Sequence, residues 1–408
     1  MRQVERTEYI ARLDSYRDKQ IIKVITGVRR CGKSTLMTMY KDRLLSSGIG
    51  KENIVFINLE DYDNERLLDP AALHSYIKQK KAPSGRTYVF LDEIQNVPDF
   101  QKVVDSLFLD ESLDIYMTGS NAYFLSGELA TLLSGRYVTI DMLPLSFREF
   151  MQLNSDSGTQ TTAQWYRRYV EVGSFPYASA FSDDKSSVHE YLRGVYNTIV
   201  LKDVVSRYRI TDTKMLESII RFVFDNIGSP LSSKRISDTL TSAGRKADPK
   251  TVEKYISALQ ESFILYEAKR YDVKGKQYLK LMEKYYVVDT GLREMLLGKR
   301  SVDIGHILEN VIYLELVRRK YDVFVGKLDD AEIDFVAQNN DGNTYIQVAA
   351  SVRDKATLER ELRPLRNIRD SYPKYILTLD EDPEADYEGI RRMNALEWLI
   401  GENIEKRT

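Results

Sequence analysis

The 408-residue sequence has a single cysteine, Cys31, so neither an intrachain disulfide nor a thiolate zinc cage can form. Its three histidines, His74, His189 and His306, lie far apart, which argues against a histidine-rich metal site. No apolar run approaches the roughly 18 residues that a membrane span needs, so no membrane insertion is expected. The opening MRQVERTEYI is too charged for a secretory signal, and the expected location is the cytoplasm. Glycine (21) and proline (10) are too sparse for a collagenous or low-complexity chain. Neither sign of charge dominates: 59 Lys and Arg against 61 Asp and Glu leave a formal charge of −2. That excludes coating nucleic acid along the whole length but leaves room for a local basic face. What is present, 43% hydrophobic and 29% charged residues, is an ordinary globular composition. The length points to two or three domains.

The first part of the chain alternates strand-like and helix-like runs. Ile21–Thr26 (IIKVIT), Asn53–Leu59, Thr87–Leu91, Leu113–Thr118 and Tyr137–Met142 are short, apolar and largely β-branched or aromatic. Helical patterns separate them over Lys33–Leu45, Ala71–Lys80, Phe100–Leu109 and Leu125–Ser134. This order predicts an α/β fold, a mostly parallel sheet covered by helices. A polar stretch, Asn154–Thr162, is expected as a loop, and Trp165–Asn226 as a helical lid or linker. Ser232–Ser242 and Asp248–Ser262 then have helical spacing, the second opening on Asp248–Pro249, a cap and N1 proline. Leu265–Tyr271 and Gln277–Leu281 follow as a hairpin, and helix, helix, hairpin is the pattern of a winged helix. The last segment reads as a helix (Ile304–Arg318), strands at Asp322–Val325, Glu332–Ala337 and Thr344–Ala349, and a helix around Ala356–Asp370. A strand at Lys374–Leu379, an acidic turn and a helix over Ile390–Ile400 complete it.

The sharpest motif is Gly27-Val28-Arg29-Arg30-Cys31-Gly32-Lys33-Ser34, which fits GxxxxGK[ST] between a strand and a helix. Gly27 and Gly32 let the backbone wrap tightly, so that its N–H groups and the helix N-terminus face phosphate oxygens. Lys33 is placed to reach the β and γ phosphates, Ser34 to put its hydroxyl on Mg²⁺, and Thr35 lies near the α phosphate. Arg29 and Arg30 either see phosphate or face solvent. Cys31 lies where a thiolate is expected, or is simply a small filler. A second element, Tyr88-Val-Phe-Leu-Asp92-Glu93, is a buried strand ending in two carboxylates. Asp92 is the candidate metal ligand and Glu93 the group that orients or deprotonates the attacking water. Asn121, in Thr118-Gly-Ser-Asn121, either sits beside the γ phosphate or closes a turn. Arg136 either supplies charge, from its own chain or a neighbouring one, or is structural. The cofactors implied are ATP and Mg²⁺.

In sequence order, GVRRCGKST, FINLED, YVFLDEIQ, TGSNAYFLSGE, LSGRY and LPLSFREF resemble the AAA-type ATPases (AAA_14) of bacteria and archaea that carry a C-terminal DUF4143 region. The resemblance covers nearly the whole chain. It equates Arg136 with the arginine of the family's GR motif, Glu60 and Asp61 with its acidic pair, and Gln95 with its EIQ signature. Phe175–Ala178 and Leu201–Val204 fit the family's linker. The implied fold class is an α/β P-loop NTPase of AAA/ASCE type with a helical lid, a winged helix and a C-terminal restriction-endonuclease-like α/β domain. The expected boundaries are 1–153 for the ATPase core, 154–228 for the lid, 229–290 for the winged helix and 291–408 for the last domain. The implied function is ATP hydrolysis coupled to the C-terminal modules, with an ATP-gated DNA-binding regulator or an ATP-regulated nuclease as the alternative.

Near neutrality conceals a polarised chain. Residues 229–284 carry twelve basic and seven acidic residues, a net +5, whereas 285–408 carry eighteen and twenty-four, a net −6. Lys250, Lys254, Arg245 and Lys246, with Lys274 and Lys276 at the wing tip, are the candidate DNA contacts, although Glu253 and Glu261 share the helix. A winged helix used for packing or protein contact remains the alternative, and a protein partner or a second copy of the chain stays open. The last domain resembles the PD-(D/E)xK nuclease fold. Glu309 and Asp334 match two of its acidic positions, but Gln347 stands for the next glutamate and Ala349 for the lysine. The expectation is a degenerate, catalytically silent site, unless Lys355 folds back to replace the missing lysine.

Overall fold

The computed structural model describes residues 3–120, 133, 135–155, 160–181, 184–275, 277–298 and 304–401. The helix expected over Leu125–Ser134, Asn121 and Lys276 therefore fall mainly or wholly outside the described residues. The chain divides into two compact units, one formed mainly by residues before Leu145 and one by residues from Leu145 onward.

The first unit holds a parallel sheet of five strands among the described residues: β1 (Ile22–Thr26), β2 (Ile54–Asn58), β3 (Thr87–Asp92), β4 (Leu113–Gly119) and β5 (Tyr137–Asp141). Their spatial order is β2-β3-β4-β1-β5, so β4 lies between β1 and β3. The three central strands are buried at every position, as expected when helices cover both faces, while β2 and β5 at the edges are only partly buried. Helices α1 (Thr7–Ser15), α2 (Lys33–Ser46), α3 (Pro70–Lys80) and α4 (Phe100–Phe108) pack around it. Helix α3 begins where the sequence supplies both a cap, Asp69 accepting from Ala72 N–H, and an N1 proline. The parallel register sets Thr26 opposite Gly119 and Leu91 opposite Met117. The C-terminal ends of β1, β3 and β4 therefore share one edge, where open parallel sheets place their ligands.

The second unit starts with α5 (Phe147–Asn154) and α6 (Thr162–Val172). Both open on reciprocal capping boxes, Ser146 with Glu149 and Thr161 with Gln164. The second cap turns the end of the expected loop into a helix start. Helix α7 (Lys185–Thr198) runs into a π-helical segment, Ile199–Ser206, and α8 (Thr213–Asp225) ends the helical region. Strand β6 (Pro230–Leu231), α9 (Ser233–Ser242), α10 (Pro249–Glu261), β7 (Leu265–Asp272) and β8 (Gln277–Val287) follow, with β6 antiparallel to β8. Helices α11 (Thr290–Leu297) and α12 (Ile304–Arg318) lead to strands β9 (Asp322–Leu328), β10 (Ala331–Asn339) and β11 (Gly342–Ala349), then helix α13 (Lys355–Arg366). Strands β12 (Lys374–Thr378), β13 (Ala385–Tyr387) and β14 (Ile390–Asn394) precede α14 (Ala395–Ile400).

Three sequence expectations change here. Ile390–Asn394 is a strand, parallel to β12, and only Ala395–Ile400 is helical, because Asn394 caps the N–H groups of Leu396 and Glu397. The acidic turn contains β13, paired with β14. The β7–β8 hairpin is also not free-standing. Arg270, Tyr271 and Asp272 pair in parallel with Val325, Gly326 and Lys327. A single sheet thus runs β13-β14-β12-β11-β10-β9-β7-β8-β6.

Candidate functional site

The loop between β1 and α2 has the backbone its glycines require. Gly27 has a φ of 144°, and a Cβ there would lie 2.1 Å from the Met142 carbonyl oxygen, so no larger residue fits. Arg30 and Gly32 also have positive φ, 69° and 107°. Lys33 opens α2 with its ammonium folded over the loop, donating to the carbonyls of Gly27 (2.9 Å) and Val28 (3.2 Å). Ser34 and Thr35 are exposed in the first helical turn, where backbone N–H groups have no intrahelical partner. A buried cation, exposed hydroxyls and a helix N-terminus fit a phosphate chain.

Arg29 pairs with Glu60 at 3.0 Å and donates to Ser120 Oγ at 3.4 Å. Arg30 is exposed. Of the two readings of Cys31, its burial favours the small filler. It is fully buried, and that burial pushes its thiol up despite Lys33 nearby, so the thiolate is disfavoured.

Asp92 ends β3 and Glu93 follows it, both nearly buried. Thr118, one step beyond the Leu91–Met117 pair, joins them: its hydroxyl donates to Asp92 Oδ1 (2.6 Å) and accepts from Glu93 N–H (2.8 Å). Glu93 has a φ of 54°, a conformation a non-glycine residue adopts only when its surroundings impose it. Gln95 donates a short hydrogen bond to Glu93 Oε2. Sequence reading missed Thr118, because nothing in a strand-end threonine announces that it bridges two carboxyl-bearing residues on the neighbouring strand. Ser120, fully buried beside Arg29, was missed for the same reason.

Arg136 is not brought to this edge. Its carbonyl accepts from Ile22 N–H, at the start of β1, so it lies at the opposite end of the sheet from the Gly27–Lys33 loop. Its guanidinium makes a short ion pair with Asp105 and lies over the Phe108 ring. This removes the own-chain role.

On α10 the buried residues are Val252, Tyr255, Ile256, Ala258 and Leu259, leaving Lys250, Glu253 and Lys254 exposed together, with Lys246 exposed just before the helix. Lys274 pairs with Asp329 at 3.1 Å.

In the terminal sheet Glu309 and Asp334 do come together, but with an unexpected partner. Lys284 on β8 places its ammonium 3.0 Å from Glu309 Oε1, 3.0 Å from Glu332 Oε1 and 3.6 Å from Asp334 Oδ1. Burial works against the Lys284 charge, but the three carboxylates outweigh it and hold the ammonium protonated. Burial, then the Glu309 charge, push Asp334 up to about 7. Gln347 accepts from Asp334 N–H and donates to Glu361, Ala349 packs in the apolar core, and Lys355 is exposed at the start of α13. Among the described residues no group of three or more His, Cys, Asp or Glu is arranged to hold a metal ion, and no helix is long and apolar enough to cross a membrane.

Comparison with known proteins agrees with the first unit and corrects the second. Residues 19–151 match the family AAA_14, an AAA domain. Residues 163–303 match a domain of unknown function, DUF8612, which replaces the DUF4143 region expected from sequence. The chain is 40% identical over 400 residues to an uncharacterized protein of Haemophilus influenzae, covering 97% of this chain and 98% of that one. It is 28% identical over 359 residues to an uncharacterized protein of Methanocaldococcus jannaschii, covering 84% and 77% respectively. Among solved structures it resembles the Walker-type ATPase PABY2304 of Pyrococcus abyssi, with a TM-score of 0.50 and 14% identity over 72% of this chain and 96% of that one, a likeness of fold. The chain carries an ATP-binding module of AAA type on an α/β P-loop NTPase fold, followed by its DUF8612 region, and it belongs to the family of the Haemophilus influenzae protein.

Proposed function

We propose that this protein binds ATP with Mg²⁺ at the Gly27–Thr35 loop and hydrolyses it to ADP and phosphate. The observation that carries this reading is the Thr118 hydroxyl, which ties Asp92 and Glu93 together on the edge where the loop ends. Lys33 holds the β and γ phosphates, and Ser34 with Asp92 holds the metal. Bound Mg²⁺ supplies charge neutralisation and polarises the terminal phosphoryl group. Glu93, steadied by Gln95, orients the attacking water and accepts its proton. Asn121 is assigned to the same water. Arg136 can serve only the site of a neighbouring copy. We divide the chain into a 1–153 ATPase core, a 154–228 helical lid and a C-terminal region in which a winged-helix segment, 229–290, shares its β7–β8 hairpin with the sheet of a nuclease-like segment, 291–408, that lacks nuclease activity. The test is phosphate release by Glu93→Gln, expected to fall about 10²- to 10⁴-fold with ATP binding retained. Turnover at the wild-type rate refutes the Glu93 role, and unchanged ATP affinity in Lys33→Ala refutes the site.

The output favoured by the geometry is DNA binding gated by the nucleotide. The exposed Lys246, Lys250 and Lys254 on and before α10 support it. Glu253 on the same face and the pairing of Lys274 with Asp329 limit the basic area, so contact is to the phosphate backbone more than to bases. Measured with and without ATP, duplex DNA affinity should fall steeply with salt, and Lys250→Glu with Lys254→Glu should weaken it on every sequence alike. Binding indifferent to nucleotide sinks the gating, and binding indifferent to these lysines sinks the surface.

A further inference from the structure

Three carboxylates from two elements converge on one point in the second unit, and that point is occupied by an ammonium from a third. Glu309 comes from α12, Glu332 and Asp334 from β10, and Lys284 from β8. A lysine ammonium has three donors and no acceptor, and here three carboxylate oxygens lie at 3.0, 3.0 and 3.6 Å. The surrounding protein occupies the cluster further. Arg270 takes Glu332 Oε2 at 3.0 Å, Tyr286 donates to Glu309 Oε1 at 2.6 Å, and Val348 N–H donates to Asp334 Oδ2 at 2.9 Å. His306 stands 3.7 Å from Glu309 Oε2.

We propose that Lys284 is the built-in cation of this acidic cluster: its ammonium fills the position a divalent metal would take among Glu309, Glu332 and Asp334, so metal and lysine exclude one another there. A hard cation such as Mg²⁺ or Mn²⁺ binds through oxygen ligands of this kind, and it cannot share a buried position with an ammonium. The cluster then serves as a bolt. Because β8 carries Lys284, the same ion pairs fasten the β7–β8 hairpin to α12 and β10 and need no metal to do so. The cation of this cluster thus comes from β8, outside the last domain, and not from position 349 or Lys355.

The test uses the full-length, nucleotide-free chain and Mn²⁺ alone. Wild type should take up no Mn²⁺ that Asp334→Asn removes. Lys284→Ala should take up one equivalent, lost again when Asp334→Asn is added, and Mn²⁺ should raise the melting temperature of Lys284→Ala but not of wild type. Wild-type Mn²⁺ binding abolished by Asp334→Asn overturns the proposal, since the lysine would then work beside a metal. So does a folded Lys284→Ala that binds no Mn²⁺. Should Lys284→Ala be unfolded, recovery of its helical circular dichroism on adding Mn²⁺ supports the proposal, and failure to recover overturns it.

Discussion

Thr118 Oγ1 donates to Asp92 Oδ1 at 2.6 Å and holds the N–H of the next residue, Glu93, at 2.8 Å. One hydroxyl thus fixes the direction of a candidate metal ligand and the strained backbone of a candidate base. Thr118→Val keeps the shape but leaves the buried Glu93 N–H unpaired, at a cost of about 1–3 kcal/mol. Phosphate release is expected to fall by about tenfold or more, as for loss of a 1.4 kcal/mol positioning interaction. ATP binding should persist, measured by fluorescent-nucleotide titration beside a phosphate-release assay.

Arg136 lies at the far end of the sheet from the loop of its own chain, so Arg136→Ala should leave ATP affinity unchanged. If the arginine completes a neighbour's site, Arg136→Ala hydrolyses slowly, and mixing it with the inactive Lys33→Ala restores turnover. A mixture no faster than its parts removes Arg136 from catalysis.

Lys23 and Asp114 form a fully buried ion pair between β1 and β4. Asp114 also accepts from Tyr116 Oη and from Asp18 N–H, both at 3.0 Å. Breaking such a pair from one side costs about 3–5 kcal/mol, because a charge stays buried without its partner. Lys23→Met should destabilise the protein by that order in urea titrations followed by circular dichroism. The double variant Lys23→Met with Asp114→Asn should recover part of the loss.

The Cys31 thiol is buried and pushed up by that burial, so it should resist alkylation. Iodoacetamide at neutral pH is expected to modify it far more slowly in the native protein than in urea, read by mass spectrometry. Fast native labelling would place Cys31 on an accessible, phosphate-facing surface instead.

The candidate nucleotide site was legible because its determinants are local. Gly27, Gly32, Lys33 and Ser34 lie between the end of a strand and the first turn of a helix, and Asp92 and Glu93 close a wholly buried strand. The central strands were legible for the same reason, their burial being written in mostly apolar runs. Lys23 and Asp114 were hidden in those runs, since an isolated charge in a strand gives no sign of its cross-strand partner. The helix expected over Ile390–Ile400 failed at its start, because pairing with β12 overrode local spacing in Ile390–Asn394.

Sequence alone determined the candidate phosphate-binding loop, the acidic strand end, the order of the central strands along the chain and the charge asymmetry between 229–284 and 285–408. Each depends on residues adjacent in the chain or on a count. Tertiary structure alone decided that Thr118 joins Asp92 to Glu93, that Arg136 is far from its own loop, and that the β7–β8 hairpin belongs to the terminal sheet. It alone put Lys284 among Glu309, Glu332 and Asp334. These relationships are made by strand register and by elements distant in sequence, and a buried charge is identified by its partners, which no local pattern records.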